Sequence, residues 1–444
     1  MPHLNTESTT SEVSTECKIG AEEFHGWSAV RLSNGMVDLV VVPDIGGRIL
    51  QLRLGRDEYL YINPRHLGKV YGSGDVHSAA GWKNYGGSKV WPAPQGWISD
   101  SEWPGPPDPV LDGGPYKWAI VENEPSQVGL VLASPPDEYT GLTFSREIRL
   151  AAESTTVTIH HRMRNTSVRP VRWALWQVTQ QVAGPDFLVF APAKTYRQIL
   201  GDNPFRAIQV DDAGGILRLE YKAQVAKLVV PVEERWICSL DSSRALALVE
   251  TFEIFRNVDY VDGAPVAFWV NGPGPYTIHA DRLYAENDPN GIDPYVETEL
   301  LSPLVELEPG QEYSFRVQWR CSRLCDRRVE RVNSCAVISR DLKVVRENNH
   351  FGISACYGVF QAGFVELVGI CRDGRVAGVQ PIGPVTPLVP CVLERSIPAQ
   401  KELFRVSLRM KNRSGELLGT IGSARVGEGP ELTPDSADAP GELS

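Results

Sequence analysis

An aromatic segment at residues 71–118 has the composition of a ligand-binding loop system. It holds five tryptophans (Trp82, Trp91, Trp97, Trp103 and Trp118), nine glycines and seven prolines. Long loops of this kind in compact domains are usually lids or binding sites. Flat indole faces suit the C–H faces of sugar rings, and we expect Asn84, Lys89, Gln95 and Asp112 to bind hydroxyl groups. The alternative is that the indoles only cover the end of a sheet.

Two carboxylates are the candidate catalytic residues. If Asp112 and Glu297 face one cleft, they form the pair of acids that glycoside cleavage uses. Each also has an ordinary interpretation. Asp112 precedes Gly113 and could begin a turn, and Glu297 could be a strand acid beside Glu299.

Several histidines are weaker candidates for a proton donor, and one acidic turn is a weaker candidate for a metal site. His160 and His161 alternate along one predicted strand, so at most one faces a cleft, and His161 shares the apolar face. His77 and His279 remain possible proton donors without a motif. The turn from Asp288 to Asp293 could hold Ca²⁺ but lacks the spacing of an EF-hand loop, so we predict no metal and no cofactor.

Most of the net negative charge lies at the two ends of the chain. The chain has 444 residues and a net charge of −11. Residues 1–17 and 427–444 contain acids but no Lys or Arg, so we predict two disordered tails around a nearly neutral body. No basic cluster suits nucleic acid. No secretory signal or membrane-spanning run is visible either, which predicts a cytoplasmic protein with reduced cysteines.

Period-two alternation dominates the rest of the chain and predicts antiparallel strands. Examples run through Val157–Met163, Tyr313–Trp319 and Phe404–Met410. A charged stretch near 322–332 predicts a boundary between a large domain at 18–325 and a seven-strand sandwich at 326–426. The predicted fold class is therefore mainly β.

Three motifs resemble the galactose mutarotase-like superfamily, which contains the aldose 1-epimerases. They are Val41-Val42-Pro43-Asp44-Ile45-Gly46-Gly47-Arg48, Tyr85-Gly86-Gly87-Ser88-Lys89-Val90-Trp91-Pro92-Ala93-Pro94-Gln95, and Tyr295-Val296-Glu297 followed by Leu307-Glu308-Pro309-Gly310. Their order and spacing resemble those of an uncharacterised bacterial branch. The resemblance implies a β-supersandwich with a sugar cleft on one sheet, followed here by an immunoglobulin-like sandwich.

The resemblance also implies a catalytic Glu and a catalytic His. Glu297 matches the Glu, but Trp176 falls where the His is expected, and an indole cannot supply that proton. The predicted ligand-binding residues are Arg48, Trp82, Asn84, Tyr85, Lys89, Trp91, Gln95, Trp97, Trp176 and Gln177.

Three functions stay open at this level. The first is a hydrolase, lyase or epimerase that acts on a sugar through Glu297. The second is a carbohydrate-binding or sensing protein that has lost the acid. The third is an interaction protein whose C-terminal sandwich contacts a partner.

Overall fold

The computed structural model describes residues 16–71, 82–96, 99, 101–211, 215–278, 283–288, 290–291, 293–400 and 402–426. Trp97, His77, His279 and nearly all of both predicted tails lie outside this part of the chain. Among the described residues, no helix is long and apolar enough to cross a membrane.

The described residues of the first part of the chain form 24 strands. They are β1 (Lys18–Phe24), β2 (Trp27–Ser33), β3 (Val37–Val42), β4 (Arg48–Leu54), β5 (Asp57–Glu58), β6 (Ser88–Ala93), β7 (Lys117–Glu124), β8 (Gln127–Ala133), β9 (Leu142–Ala151), β10 (Val157–Asn165), β11 (Val171–Val182), β12 (Phe187–Pro192), β13 (Arg197–Leu200), β14 (Ile208–Val210), β15 (Ile216–Glu220), β16 (Ala226–Val230), β17 (Trp236–Asp241), β18 (Leu246–Phe252), β19 (Val266–Val270), β20 (Gly274–Ile278), β21 (Leu283–Asn287), β22 (Tyr295–Leu301), β23 (Val305–Leu307) and β24 (Glu312–Arg323). Two short 3₁₀ turns lie at Pro64–His66 and Val261–Gly263.

The last part of the chain adds eight strands. They are β25 (Arg331–Val332), β26 (Ala336–Glu347), β27 (His350–Val359), β28 (Gly363–Cys371), β29 (Val376–Val385), β30 (Cys391–Pro398), β31 (Leu403–Lys411) and β32 (Leu417–Arg425).

Two large antiparallel sheets pack face to face in the first part. One has 12 strands, with the path β1-β2-β3-β4-β6-β11-β22-β19-β16-β13 and with β5 and β23 beside it. The other has 10 strands in the order β14-β15-β12-β17-β18-β24-β10-β9-β8-β7. One apolar core contains side chains from both sheets. The mainly β architecture predicted from the alternation is confirmed.

Burial along β10 and β24 follows the predicted alternation. Val157, Ile159 and Met163 are buried, as are Phe315 and Trp319, whereas their sequence neighbours are more exposed. Such a pattern stabilises a strand with one face in the core and one toward solvent.

The last eight strands form two four-stranded sheets, β25-β26-β27-β30 and β29-β28-β31-β32, around an apolar core of their own. This sandwich has eight described strands where the sequence predicted seven. It also packs on the 10-stranded sheet, since Val337 and Phe360 share a buried cluster with Phe190 and Trp236. The division into domains at residue 326 stays a prediction.

The expectation of reduced cysteines is wrong at one pair. Cys325, which follows β24, forms a disulfide with Cys356 of β27. The two residues are 31 positions apart in the chain, and Cys356 lies opposite Arg340 in the hairpin of β26 and β27. The remaining cysteines among the described residues form no disulfide, and all but Cys391 are buried.

Candidate functional site

One face of the 12-stranded sheet carries a row of charged and aromatic side chains. In the strand register, Gln180 of β11 is opposite Glu297 of β22, Glu297 is opposite Trp269 of β19, and Trp269 is opposite Lys227 of β16. Residues directly opposite each other share a face of a sheet. We refer to the surface around Lys89 and Glu297 on this face as the cleft.

Lys89 of β6 and Glu297 form an ion pair on the floor of the cleft. The Lys89 Nζ lies 3.3 Å from Glu297 Oε1, and Gln180 Nε2 donates to the same oxygen at 2.7 Å. Lys89 is fully buried, while Glu297 retains 7% exposure. Glu297 Oε2 makes no hydrogen bond with the described residues, so it is the oxygen that remains available to a ligand.

Burial changes the acidity of Lys89. Removal of the ammonium group from water lowers the pKa of Lys89 to about 8, against the opposing effect of Glu297. Two indole rings surround the ammonium, since Nζ lies 5.0 Å from the ring centre of Trp82 and 4.6 Å from that of Trp91. Such cation–π contacts replace part of the lost hydration. The pKa of Lys89 thus lies closer to neutral pH than that of an exposed lysine.

Asp112 holds the two indoles in place. Its Oδ1 accepts hydrogen bonds from Arg48 and, at 3.1 Å, from Trp91 Nε1, and its Oδ2 accepts from Trp82 Nε1 at 2.8 Å. Arg48 is fully buried and also donates to the backbone oxygens of Asp112 and Gly86. Both carboxylate oxygens of Asp112 are thus engaged. These contacts favour a positioning role over the catalytic role predicted from the sequence.

The glycine pairs of the sequence motifs explain how this arrangement is packed. Gly46 has φ of 78°, and a Cβ there would lie 2.1 Å from the Asp112 backbone oxygen. Gly86 has φ of 93°, and a Cβ there would lie 2.1 Å from the Tyr61 oxygen. Only glycine combines positive φ with such close backbone approach. These glycines allow close backbone approach between the start of β4 and the Asp112 loop and between Tyr61 and the segment that precedes β6.

A second Lys, Glu and Trp unit lies beside the first. Glu299 Oε2 accepts from Trp176 Nε1 and lies 2.9 Å from Lys227 Nζ. The Lys227 ammonium is 4.4 Å from the Trp176 ring centre. Burial raises the pKa of Glu299, and the positive charge of Lys227 opposes that effect. Sequence reasoning missed Lys227, because only the strand order places β16 near β22.

Indole burial corrects two of the predicted ligand contacts. Trp91 and Trp176 are 3% and 4% exposed and lie in one aromatic cluster with Trp103. Their rings therefore pack in the protein and offer little surface to a sugar. Trp82 and Trp269 are only half-buried, and they flank the Lys89–Glu297 pair.

Asn84 and Tyr61 lie at one edge of the cleft. Asn84 Nδ2 is 3.4 Å from the Tyr295 hydroxyl, and the ring of Tyr295 lies 5.0 Å from that of Tyr61. The Tyr61 hydroxyl donates to Asp293 at 2.6 Å, and Arg65 pairs with the same carboxylate. The turn considered for Ca²⁺ is thus tied to protein donors at Asp293.

Three further predicted residues do not reach the cleft floor. Gln177 faces the interior between the two sheets, because it is one residue out of phase with Trp176. Tyr85 packs in a separate apolar cluster with Trp27. Gln95 is exposed and pairs with Trp103. Trp97 lies outside the described residues.

A buried polar network lies under the cleft strands. Glu250 of β18 accepts from Thr298, from Gln177 at 3.2 Å and from Trp319 at 3.0 Å. Burial raises the pKa of Glu250 to about 7. His161 lies 2.7 Å from Gln177, and burial lowers its pKa to about 3. His161 is therefore a neutral core residue, as its strand face predicted.

One group among the described residues has the ligand types and spacing for a metal ion. It consists of Cys325, Asp326 and Cys356, and its two sulfur atoms are bonded to each other. The cleft contributes no such group within the described part of the chain.

The protein thus consists of two stacked antiparallel sheets. One of these sheets carries lysine–glutamate ion pairs with indole rings beside them. The chain belongs to the family described as a domain of unknown function (DUF4380), whose model matches residues 28–256. Comparison with curated proteins gives no match.

Several solved structures are distantly similar. A TPR-domain containing protein from Parabacteroides distasonis shares 15% identity over 66% of this chain and 46% of its own, with a TM-score of 0.41. The present chain thus spans about half the length of that protein. A galactose mutarotase-like protein from Clostridium acetobutylicum shares 10% identity over 69% of this chain and 99% of its own, with a TM-score of 0.45. Another galactose mutarotase-like protein, from Lactobacillus casei, shares 10% identity over 66% of this chain and 99% of its own, with a TM-score of 0.42. Two of the three bear the superfamily name that the motifs predicted.

Proposed function

We propose that the cleft binds a carbohydrate and that Glu297 accepts a proton from one of its hydroxyl groups. The observation that carries this proposal is the contact at 3.3 Å between Lys89 and Glu297, which leaves Glu297 Oε2 without a hydrogen-bond partner among the described residues. An ionised carboxylate beside an ammonium group supplies a base and an acid at one point.

The surroundings of this pair suit a sugar. Trp82 and Trp269 are half-buried indoles beside it, and such faces cover the apolar faces of a ring. Asn84 and Tyr61 add polar groups at the edge. An aromatic surface with a few directed polar groups is typical of small-molecule sites.

Charge balance in the cleft favours a neutral sugar. Lys89 pairs with Glu297, Lys227 pairs with Glu299, and Arg48 pairs with Asp112. A phosphate or carboxylate group on the ligand would have to displace one of these partners and leave a buried charge unpaired.

Geometry also discriminates between reaction types. Hydrolysis by two carboxylic acids needs groups on either side of a glycosidic bond, at least about 5 Å apart. Asp112 is committed to Arg48 and two indoles, so it does not fill the second position. The Lys89–Glu297 contact fits interconversion of sugar anomers, in which a base and an acid act on the two oxygens of the anomeric carbon. Glu297 would take the proton of the anomeric hydroxyl, and Lys89 would give one to the ring oxygen as the bond between that oxygen and the anomeric carbon breaks. The reverse transfers would close the ring on either face of the resulting carbonyl.

A binding protein without turnover is the second candidate. Its support is Trp176, which lies where the resemblance implies an acid and instead donates to Glu299. Calorimetry with glucose, galactose and mannose, together with NMR exchange spectroscopy of the anomers, separates the two candidates.

The test uses the whole chain and three variants. We expect at least one of these sugars to bind and to exchange faster in the presence of protein. E297Q should retain binding within about threefold but lose about a hundredfold or more of the exchange rate, the usual scale of acid–base catalysis. W82A should weaken binding by up to about tenfold through the lost ring contact.

Each outcome decides one part of the proposal. E306Q alters an exposed acid on β23, opposite Arg172 and thus eight residues along β11 from Gln180, and should change neither quantity. Binding without accelerated exchange by the wild type identifies the binding protein. An active E297Q excludes Glu297 as the base, and absence of binding to all three sugars contradicts the carbohydrate proposal.

A further inference from the structure

A second candidate ligand site lies on the other side of the molecule. A cavity of about 450 Å³ opens on the outer face of the 10-stranded sheet. Its walls are the start of β17, the end of β18, the middle of β24 and the turn at 332–334 of the C-terminal sandwich. The volume falls within the range of small-molecule sites, which often lie where two structural units meet. We refer to this cavity as the groove.

The groove is separate from the cleft. Arg316, Gln318 and Arg320 alternate along β24 with residues that are buried in the core between the two large sheets. Their side chains therefore point away from the 12-stranded sheet that carries Lys89 and Glu297.

Three arginines in the groove have no protein partner. The guanidinium groups of Arg235, Arg256 and Arg316 make no ion pair and no hydrogen bond with the described residues. Arg235 is half-buried despite this. A fourth guanidinium, that of Arg320, donates to Gln318 at 2.8 Å and lies 5.6 Å from the ring centre of Phe360.

The acids in the groove do not neutralise these arginines. Glu233 pairs with Lys194 at 2.9 Å outside the groove lining. Glu234 accepts a hydrogen bond from the Trp236 indole, and Glu253 forms no ion pair within 4.0 Å among the described residues. The lining thus contains four arginines and three acids, and one of these acids, Glu233, pairs with Lys194 outside it.

Arginines elsewhere on the same outer face are paired. Arg149 contacts Glu122 and Glu147, and Arg162 contacts Glu147 at 3.5 Å. Arg218 pairs with Glu220 at 2.7 Å. The outward arginines of this sheet are thus generally paired with carboxylates. The arginines without a carboxylate partner among the described residues lie mainly at the groove. Arg164, at the far end of β10, is an exposed exception and provides a control.

We propose that the groove binds a small organic anion, a metabolite-sized molecule with a phosphate, sulfate or carboxylate group. Planar guanidinium groups bind such oxyanions through two parallel hydrogen bonds. The hydroxyl groups of Thr251 and Ser334 line the same cavity and would contact the remainder of the ligand. This site does not depend on the function proposed for the cleft.

Calorimetry with the whole chain in an amine buffer free of multivalent anions tests the proposal. The probes are inorganic phosphate, sulfate, glucuronate and glucose 6-phosphate, with glucose as the neutral comparison. We expect at least one anion to bind at a single site with Kd below about 1 mM, and its affinity should fall with added salt. Comparison among the probes shows which oxyanion the groove accepts.

Variants locate the binding. The double variant R256A/R316A should weaken binding of the best anion at least tenfold, whereas R164A should leave Kd unchanged. The altered side chains are exposed, and circular dichroism should show that both variants fold like the wild type. W82A in the cleft should not affect anion binding. Absence of millimolar binding by every anion, or equal losses in R164A and R256A/R316A, would overturn the proposal.

Discussion

At the scale of single residues, the cleft is organised by buried charges that each have a defined partner. Lys89 and Glu297 face each other, while Asp112 joins Arg48 to two indoles. The same residue types are therefore divided between two tasks. Among the described residues, Glu297 Oε2 has no hydrogen-bond partner, whereas both carboxylate oxygens of Asp112 accept hydrogen bonds.

Replacement of Asp112 should expose this positioning role. D112N leaves the guanidinium of Arg48 buried without its counter-charge, and breaking a buried pair costs about 3 kcal/mol or more. Urea unfolding should show that loss, and near-ultraviolet circular dichroism should report altered packing of Trp82 and Trp91.

A surface pair serves as the control for that measurement. Arg31 and Asp38 form a more exposed contact, so D38N should cost less than about 1 kcal/mol. If D112N is as mild as D38N, Asp112 does not anchor the indoles.

At the scale of elements, β11 has two polar faces with different roles. Trp176 and Gln180 point into the cleft, and Gln177 points toward Glu250 and His161 between the sheets. The strand thus connects the cleft to a buried network. That network contains an acid whose protonation should govern the pH dependence of stability.

Glu250 should make the protein less stable as pH rises. Burial raises its folded pKa from 4.5 to about 7, so folding favours the protonated form. The resulting stability is fully present below pH 4.5 and is lost as pH rises through 7, in total about 3 kcal/mol. Urea unfolding between pH 5 and pH 8 should show this decline in the wild type.

E250Q removes the titrating group and retains the side-chain size. The decline in unfolding free energy between pH 5 and pH 8 should be smaller in E250Q by the same amount. E306Q, an exposed acid, should keep the wild-type slope. Equal slopes in E250Q and the wild type would show that Glu250 is ionised throughout this range.

At the scale of the whole molecule, the C-terminal sandwich is attached to the first part by packing and by one covalent bond. Val337 and Phe360 contact the outer face of the 10-stranded sheet. The Cys325–Cys356 disulfide joins the end of β24 to β27. The groove lies at the edge of this contact.

Loss of the disulfide should destabilise the chain. Closure of a segment of 31 residues restricts the unfolded state by about 4 kcal/mol in the loop-entropy model. C325A/C356A should unfold at lower urea concentration than the wild type, and reductant should shift the wild type but not the variant. C391A, which removes a free thiol, should respond to reductant like the wild type. A wild type insensitive to reductant would contradict this role.

The strand positions could be predicted from the sequence, because alternation with a period of two residues directly reflects one buried and one exposed face. Val157, Ile159 and Phe315 follow it in the structure. Conversely, the assignment of Gln177 to the cleft failed because a shift of one residue along a strand reverses the face. The indoles of Trp91 and Trp176, which the sequence predicted to contact the ligand, are buried in an aromatic cluster, because burial depends on neighbours from other strands.

The sequence by itself determined that the chain is mainly β and that Lys89, Glu297 and a set of indoles belong to one candidate site. Local alternation and motif spacing carry that information. Only the tertiary structure decided that Asp112 holds indoles, that Lys227 pairs with Glu299, and that Cys325 meets Cys356. Each of these contacts joins residues far apart in the chain, and strand order and register, which local patterns do not specify, bring them together.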